Sequence, residues 1–326
     1  MPILGGSSPA PILAIDIGGS SVKSGLVLPG GGRWRLVERF EPLPVTERTF
    51  KPLRALVVSA AARALEVAPE LSVVGISTTG SATPDNVVLG AGFFEGYQDI
   101  IWKAELDDAI PGRQWEVRVV NDGRAAAWGT YLEDERARGL SLAHFVVGTG
   151  IGGGLVVHGQ LVHGAHNFAG VLGHLRVTRE ETAPCVCGRQ GCVELFAGGP
   201  AVLRDAAANG AGPAAESVLR LADAARQGSV VAREAFRTGG AWLGQAIALV
   251  ANILDPEVVT IGGGVVAAAD YDAGGARNWY VDAAADAARE AALPRIAARF
   301  TVLRASLLND AALIGAAALA WDQARG

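Results

Sequence analysis

Two stretches of this chain share one grammar. PILAIDIGGSSVKSGLVLPGGG (11–32) and AHFVVGTGIGGGLVVHGQLVHG (143–164) each set an apolar run before a polar glycine turn and an alternating apolar run after it. Both are predicted to be β-hairpins, because period-two apolarity on either side of a glycine turn suits antiparallel strands. Glycines at the turns let backbone N–H groups point inward and approach an anion closely, where residues with side chains would resist positive φ. Phosphate is the obvious anion. Tight turns need glycine too, so either hairpin alone supports both readings; the repetition favours the cradle. Asp16 ends the first apolar run, a costly place for a carboxylate unless it holds a cation or hydrogen-bond donors. Beside a phosphate that cation is Mg²⁺, usually through water. The first turn lacks G-x-x-x-x-G-K-[ST], and GTGIGGG is followed by an expected strand rather than a helix, so dinucleotide binding ranks low.

At 326 residues the chain exceeds one comfortable core, so two domains, or one split by a cleft, are expected. A charged fraction of only 19% beside 50% apolar residues excludes a disordered chain. A net charge of −5 without a basic run argues against nucleic acid or an anionic membrane as partner. The N-terminus has no charged region ahead of an apolar segment, which predicts a cytoplasmic chain with a flexible leader over 1–10. GAWLGQAIALVANILDP and AALIGAAALAW carry Gln245 and Asn252 or are too short to span ~30 Å of hydrocarbon, and read as buried helices.

LRALVVSAAARALEV (53–67) has helical periodicity, SVVGIST (72–78) reads as a strand, and WEVRVVNDGRAAAWGTYLEDE (115–135) reads as a strand running through Asn121-Asp122 into an alanine-rich helix. A carboxylate at a strand end facing a cleft is where a general base sits. Asp122 or Asn121 could equally cap the helix, and the pair could share both roles. Cys185, Cys187 and Cys192 are the only cysteines and fall within eight consecutive positions. Three thiols in a reducing compartment cannot all pair as disulfides, which points to one soft metal ion, zinc.

DIGGSSVKSGLV, VVNDGRAAAWG, GTGIGGGLVVHGQLVHGA, GHL followed by CVCGRQGCVE, and VVTIGGGVV, in that order, resemble the ROK family of bacterial sugar kinases and related repressors. The likeness runs from about Ile12 to the C-terminus, and the cysteine signature is its most specific element. It implies an α/β, actin-like (ribonuclease H-like) ATPase/sugar kinase fold, with two α/β domains around a cleft. The small domain would comprise 11–124 plus a returning C-terminal helix at 309–326, capped near Asn309 or Asp310, and the large zinc-bearing domain 125–308. It further implies that Asp16, Gly18, Gly19, Ser20, Ser21 and Lys23 surround the transferred phosphoryl group and Mg²⁺. Gly148, Thr149, Gly150 and Gly152 would hold the ATP phosphates, and Gly262, Gly263 and Gly264 would border the adenosine. Asp122 would be the base, with Asn121, His174 and Glu194 contacting or shaping the sugar site. His174, eleven residues before Cys185, would complete a structural Cys₃His zinc site. His158, His163 and His166 read as turn and pocket-rim residues. A homodimer is expected on the resemblance alone.

The activity so implied is ATP-dependent phosphorylation of a hexose or hexose derivative, with 6-phosphorylation the leading expectation. A repressor would need a DNA-binding module, and about ten residues precede the first strand. A sugar sensor or weakened kinase is the alternative, kept open by the sugar pocket. Kinase members usually read G-E-x-G-H where this chain reads GVLGH, so Val171 stands in for a sugar-binding glutamate. GAGFFEGYQDI (90–100) also lacks an expected asparagine and offers Phe93, Phe94 and Glu95, the aromatics either stacking on sugar or forming local core.

Overall fold

A computed structural model describes residues 10–30, 32–90, 94–180, 182–271, 277–308 and 310–325. The chain divides into two compact units, one comprising the chain up to Glu133, Ala165–Asn167 and the chain from Asp310, the other Asp134–Gly164 and Phe168–Asn309.

The first unit is built on a five-stranded sheet of order β3-β2-β1-β4-β7, from β1 (Ile12–Ile17), β2 (Ser21–Gly30), β3 (Arg33–Pro44), β4 (Val73–Thr78) and β7 (Glu116–Asn121). Between β4 and β7 lie a two-residue ladder of β5 (Val87–Val88) with β6 (Ile100–Ile101) and helix α2 (Trp102–Ala109); α1 (Phe50–Val67) precedes β4 and α3 (Asp122–Glu133) follows β7. β1 pairs antiparallel with β2 and parallel with β4, so both its edges are satisfied. Both its faces are covered as well. Leu13, Ile15 and Ile17 pack in one core with Leu53, Val57 and Ala60 of α1, while Ile12 and Ala14 join Leu313 and Ala317 of the C-terminal helix Ala311–Arg325 in another. That is why a near-continuous apolar run, rather than strict alternation, encodes this strand.

The C-terminal helix reaches that face only because small residues let backbones touch. A Cβ on Gly75 of β4 would lie 2.2 Å from the Ala316 carbonyl oxygen, and one on Gly129 of α3 2.0 Å from that of Ala311. On Gly315 it would meet the Ala125 oxygen at 1.8 Å. Helix α3 therefore belongs with this unit as far as Glu133, and a boundary at 124–125 would cut it one turn after it starts.

The second unit repeats the plan. Its sheet runs β10-β9-β8-β11-β12, from β8 (Leu142–Val147), β9 (Ile151–Val157), β10 (Gln160–Leu161), β11 (Val258–Gly262) and β12 (Thr301–Arg304). β11 is parallel to β8 and β12 and buried along its whole length. The helices are α4 (Glu194–Ala197), α5 (Gly199–Ala208), α6 (Val218–Arg226), α7 (Val230–Leu254), α8 (Gly264–Ala268), α9 (Trp279–Ala291) and α10 (Pro294–Ala297). Ser229 caps α7 by accepting from the Ala232 N–H, and Asn278 caps α9 by accepting from Tyr280 and Val281. Among the described residues no helix is long and apolar enough to cross a membrane.

The aromatic run at 93–97 resolves in favour of core where it is described. Phe94 is buried and meets Tyr97 edge-on at 5.8 Å, Glu95 beside it is exposed, and Phe93 lies outside the described residues, as does Asn309. His158 sits in the β9–β10 turn at φ 50°.

Candidate functional site

In the first unit the hairpin β1–β2 closes through Gly18 N–H to Ser21 O, 3.0 Å, with Gly19 and Ser20 at its tip. Asp16 lies at the end of β1 with its side chain 13% exposed. Ser77 Oγ of β4 donates to Asp16 Oδ1 at 2.8 Å and Lys23 Nζ stands 3.8 Å from Oδ2. Burial raises the Asp16 pKa above the usual carboxylate value, and Lys23 and Ser77 pull it back. A largely buried carboxylate with one hydrogen bond and one long ion pair among the described residues suits a hydrated Mg²⁺.

Two strands away, β7 delivers Asn121 and Asp122 to the start of α3. Asn121 Oδ1 accepts from Arg124 N–H at 3.2 Å and so caps the helix, while its Nδ2 donates to Gly80 O at 2.7 Å and to Asp122 Oδ1 at 3.0 Å. Asp122 Oδ1 also accepts from Gly123 N–H at 2.7 Å. The pair thus shares the terminal N–H groups, Asn121 being the residue placed to cap. Burial first, and then the charge of Asp16, push Asp122 up to about 6, within the range of a working general base.

One turn on, Arg124 was not singled out by the sequence and is almost wholly buried. It donates to Asn167 Oδ1 at 2.5 Å, and Asn167 donates to Ala82 O, so the short segment Ala165–Asn167 is tied into the first unit. No pattern in the sequence marks this tie, because it joins positions far apart in the chain.

In the second unit the turn of hairpin β8–β9 is closed by Gly148 N–H to Gly150 O at 3.0 Å, and Gly199 N–H at the start of α5 reaches back to Gly148 O at 2.8 Å. Thr149 is exposed at its tip, and Gly152 follows in β9. Gly263, at φ 96°, brings the end of β11 against β8: a Cβ there would stand 2.4 Å from Val147 O, so only glycine fits. Gly262 and Gly264 flank it, the latter opening α8.

Glu194, the first residue of α4, joins this turn to the cysteine loop. Its Oε2 accepts from Ile151 N–H at 3.3 Å, and its Oε1 lies 3.1 Å from Cys185 Sγ and 3.6 Å from His174 Nδ1. Ligand atoms of His174, Cys185, Cys187 and Cys192 all lie within 4.8 Å of one another. Cys185 Sγ is 3.4 Å from His174 Nδ1, and Cys187 and Cys192 Sγ are 3.5 Å apart. A tetrahedron with zinc–ligand bonds of about 2.0–2.3 Å has edges near these lengths, so the donor set and its spacing fit zinc. Val171, where a glutamate was expected, is half-exposed just before the 3-10 turn Leu172–His174 that presents His174.

A family model described as the ROK family matches residues 12–323. The glucokinase of Halalkalibacterium halodurans is 29% identical over 336 residues, 95% of each chain. The N-acetylmannosamine kinase of Vibrio cholerae is 30% identical over 60% of this chain and 64% of that one. Among solved structures, a ROK family glucokinase from Streptomyces griseus in complex with glucose and AMPPNP superposes with a TM-score of 0.80 at 29% identity, covering 96% of this chain and all of that one.

Proposed function

This chain belongs to the ROK family, and we propose from that premise that it is an ATP-dependent kinase of a hexose or hexose derivative, with Asp122 as general base. The two α/β units are those of the actin-like sugar kinase fold. The observation that most supports the role of Asp122 is its setting: a carboxylate at a strand-to-helix junction, raised to about 6 and oriented through Oδ1 by Gly123 and Asn121. The Asp122 carboxylate would accept the proton of the sugar hydroxyl. As that proton leaves, the hydroxyl oxygen forms a bond to the γ-phosphorus of ATP, the bond from phosphorus to the β,γ-bridging oxygen breaks, and ADP departs. Phosphoryl transfer asks mainly for positioning and charge neutralisation, and two glycine turns with one base supply a sufficient toolkit.

Gly18, Gly19, Ser20, Ser21 and Lys23 are assigned to the transferred phosphoryl group, and Gly148, Thr149, Gly150 and Gly152 to the ATP phosphates. Gly262–Gly264 are assigned to the adenosine, and Asn121, His174 and Glu194 to the sugar or its surroundings. Asp16 would hold Mg²⁺, which when bound neutralises phosphate charge. His174, Cys185, Cys187 and Cys192 would hold a structural zinc. Through Glu194 that loop bears on the second glycine turn, so its order matters beyond local stability. One zinc per chain should co-purify, and Cys187→Ser should lower the melting temperature and raise the KM for sugar. Protein prepared without chelator and free of zinc by elemental analysis would remove the assignment.

Glucose is the leading substrate, with N-acetylhexosamines as competitors. Val171 in place of a glutamate favours a second reading, a sensor or weakened kinase, because a sugar hydroxyl left without its acceptor costs about 1–3 kcal/mol, or roughly one to two orders of magnitude in affinity. Kinetics of wild type and Val171→Glu across a panel of hexoses and N-acetylhexosamines test this. The account expects wild type to phosphorylate a panel sugar and Val171→Glu to improve glucose. Ordinary glucose efficiency in wild type with no gain in the variant would defeat the pocket argument, and no turnover in either would favour the sensor.

A further inference from the structure

The second unit also holds two adjoining cavities that involve neither glycine turn. The larger, about 410 Å³, lies against the N-terminal turns of α7 and α9 and is lined by Arg226, Arg233, Arg237, Tyr271 and Trp279, three guanidinium groups with no carboxylate among them. The smaller, about 350 Å³, shares Arg237 and continues to Arg277 and Arg289, here mixed with Asp282 and Asp286. Arg226 is paired with Asp223, but Arg233 and Arg237 have no ion pair among the described residues, and in a chain of net charge −5 two such converging cations call for a partner.

Two of these arginines are held in place by groups that leave donors over. Arg233 Nε donates to Ala225 O at 2.8 Å, and its guanidinium lies 5.6 Å from the Trp279 ring centre, so that among the described residues neither amino group has a hydrogen-bond partner. Trp279 is itself fixed by stacking on Tyr271 at 4.9 Å. Arg226 is anchored by Ala268 O at 3.0 Å, Asp270 O at 3.3 Å and Asp223 at 2.7 Å, the last outside the cavity lining. Arg237 has no hydrogen bond or ion pair among the described residues, and it faces both cavities. Guanidinium forks held in fixed planes match the oxygens of a phosphate group, and bidentate charge-assisted bonds of this kind are the strong ones. In the smaller cavity Arg277 and Arg289 are already matched, Arg277 to Asp282 at 3.8 Å and Arg289 to Asp286 at 3.2 Å, so its walls suit the neutral, hydroxyl-bearing remainder of a molecule.

We infer that the Arg226–Arg233–Arg237 cavity is a binding site for the phosphate group of a small phosphorylated molecule, either a phosphate monoester or an oligophosphate, separate from the residues proposed to bind ATP. Isothermal titration at low salt tests it with glycerol 3-phosphate and tripolyphosphate as probes, in the presence of saturating AMPPNP so that any ATP-type site is already filled. Wild type should bind at least one probe at one site per chain. Arg233→Ala/Arg237→Ala should weaken that binding by about tenfold or more. Arg220→Ala, which removes an exposed arginine on α6 paired with Glu216, should leave binding unchanged. Tighter binding of glycerol 3-phosphate identifies a monoester as the natural class, and tighter binding of tripolyphosphate an oligophosphate. Should the double variant fail to fold once Arg233 leaves Trp279, Arg237→Glu carries the same test, since Arg237 is exposed. No binding of either probe to wild type, undiminished binding in the variants, or an equal loss in Arg220→Ala would overturn the site.

Discussion

Asp122→Asn should lower kcat by about 10²–10⁴, the usual contribution of a general base, while leaving the fold and most sugar affinity in place. The substitution is chosen because asparagine keeps an Oδ1 that can still accept from Gly123, so the helix start survives. Wild-type kcat/KM should also fall as pH drops through about 6, where the carboxylate takes up a proton and ceases to be a base, and this limb should be absent in the variant. The sign of the stability effect separates catalysis from capping. Burial and Asp16 raise the Asp122 pKa above its ordinary carboxylate value of 3.8, so the native state binds more protons than the unfolded chain between that value and about 6, and stability falls as pH rises through this window. At neutral pH the ionised group is therefore a cost that asparagine removes, and the variant should melt no lower than wild type. A residue that only caps α3 would give the opposite pair of results: ordinary turnover and a lower melting temperature.

Gly315→Ala should destabilise the protein, although alanine in place of glycine in an exposed helix stabilises by about 0.5–1 kcal/mol. The added methyl would stand 1.8 Å from the Ala125 carbonyl oxygen, so the C-terminal helix must draw back from α3. Overpacking of this kind costs about 1–3 kcal/mol, and backbone on both sides puts this case at the upper end. Gly129→Ala meets Ala311 O at 2.0 Å across the same helix pair, so the two should be less than additive, one displacement serving both. Thermal melts of both single variants and the double decide it. An unchanged or raised melting temperature for Gly315→Ala would mean that the helices do not pack backbone to backbone.

Both hairpins were readable in the sequence because each is local: two short strands with their turn carry their whole signal in about twenty residues, and the structure gives β1–β2 and β8–β9 the expected antiparallel pairing. The strand into Asn121-Asp122 and the helix beyond were equally local. What escaped is long-range. Nothing around Arg124 announces that its charged side chain is buried against Asn167, where burial first, and then the charge of Arg118, bring its pKa down to about 10. His144 reads as one polar residue in a strand, yet it is buried, bonded to Thr260 at 2.7 Å and held near pKa 4 by burial. The arginines of the proposed phosphate site, at 226, 233 and 237, lie on α6 and α7 and meet Tyr271 and Trp279 only through tertiary packing. Glu194 was placed at the sugar site by resemblance, but its link between Ile151 and the cysteine loop depends on tertiary placement.

The most direct test of the central claim follows the phosphorus. With zinc-loaded wild-type protein, Mg²⁺, ATP and a panel of hexoses and N-acetylhexosamines, phosphorus NMR should show the γ-phosphate of ATP disappear and a sugar phosphate monoester grow in step with ADP, with at least one sugar and not in its absence. The same mixture with Asp122→Asn should be nearly still. ADP and inorganic phosphate forming at the same rate with or without sugar, or no loss of ATP with any sugar, would contradict the assignment of this chain as a sugar kinase.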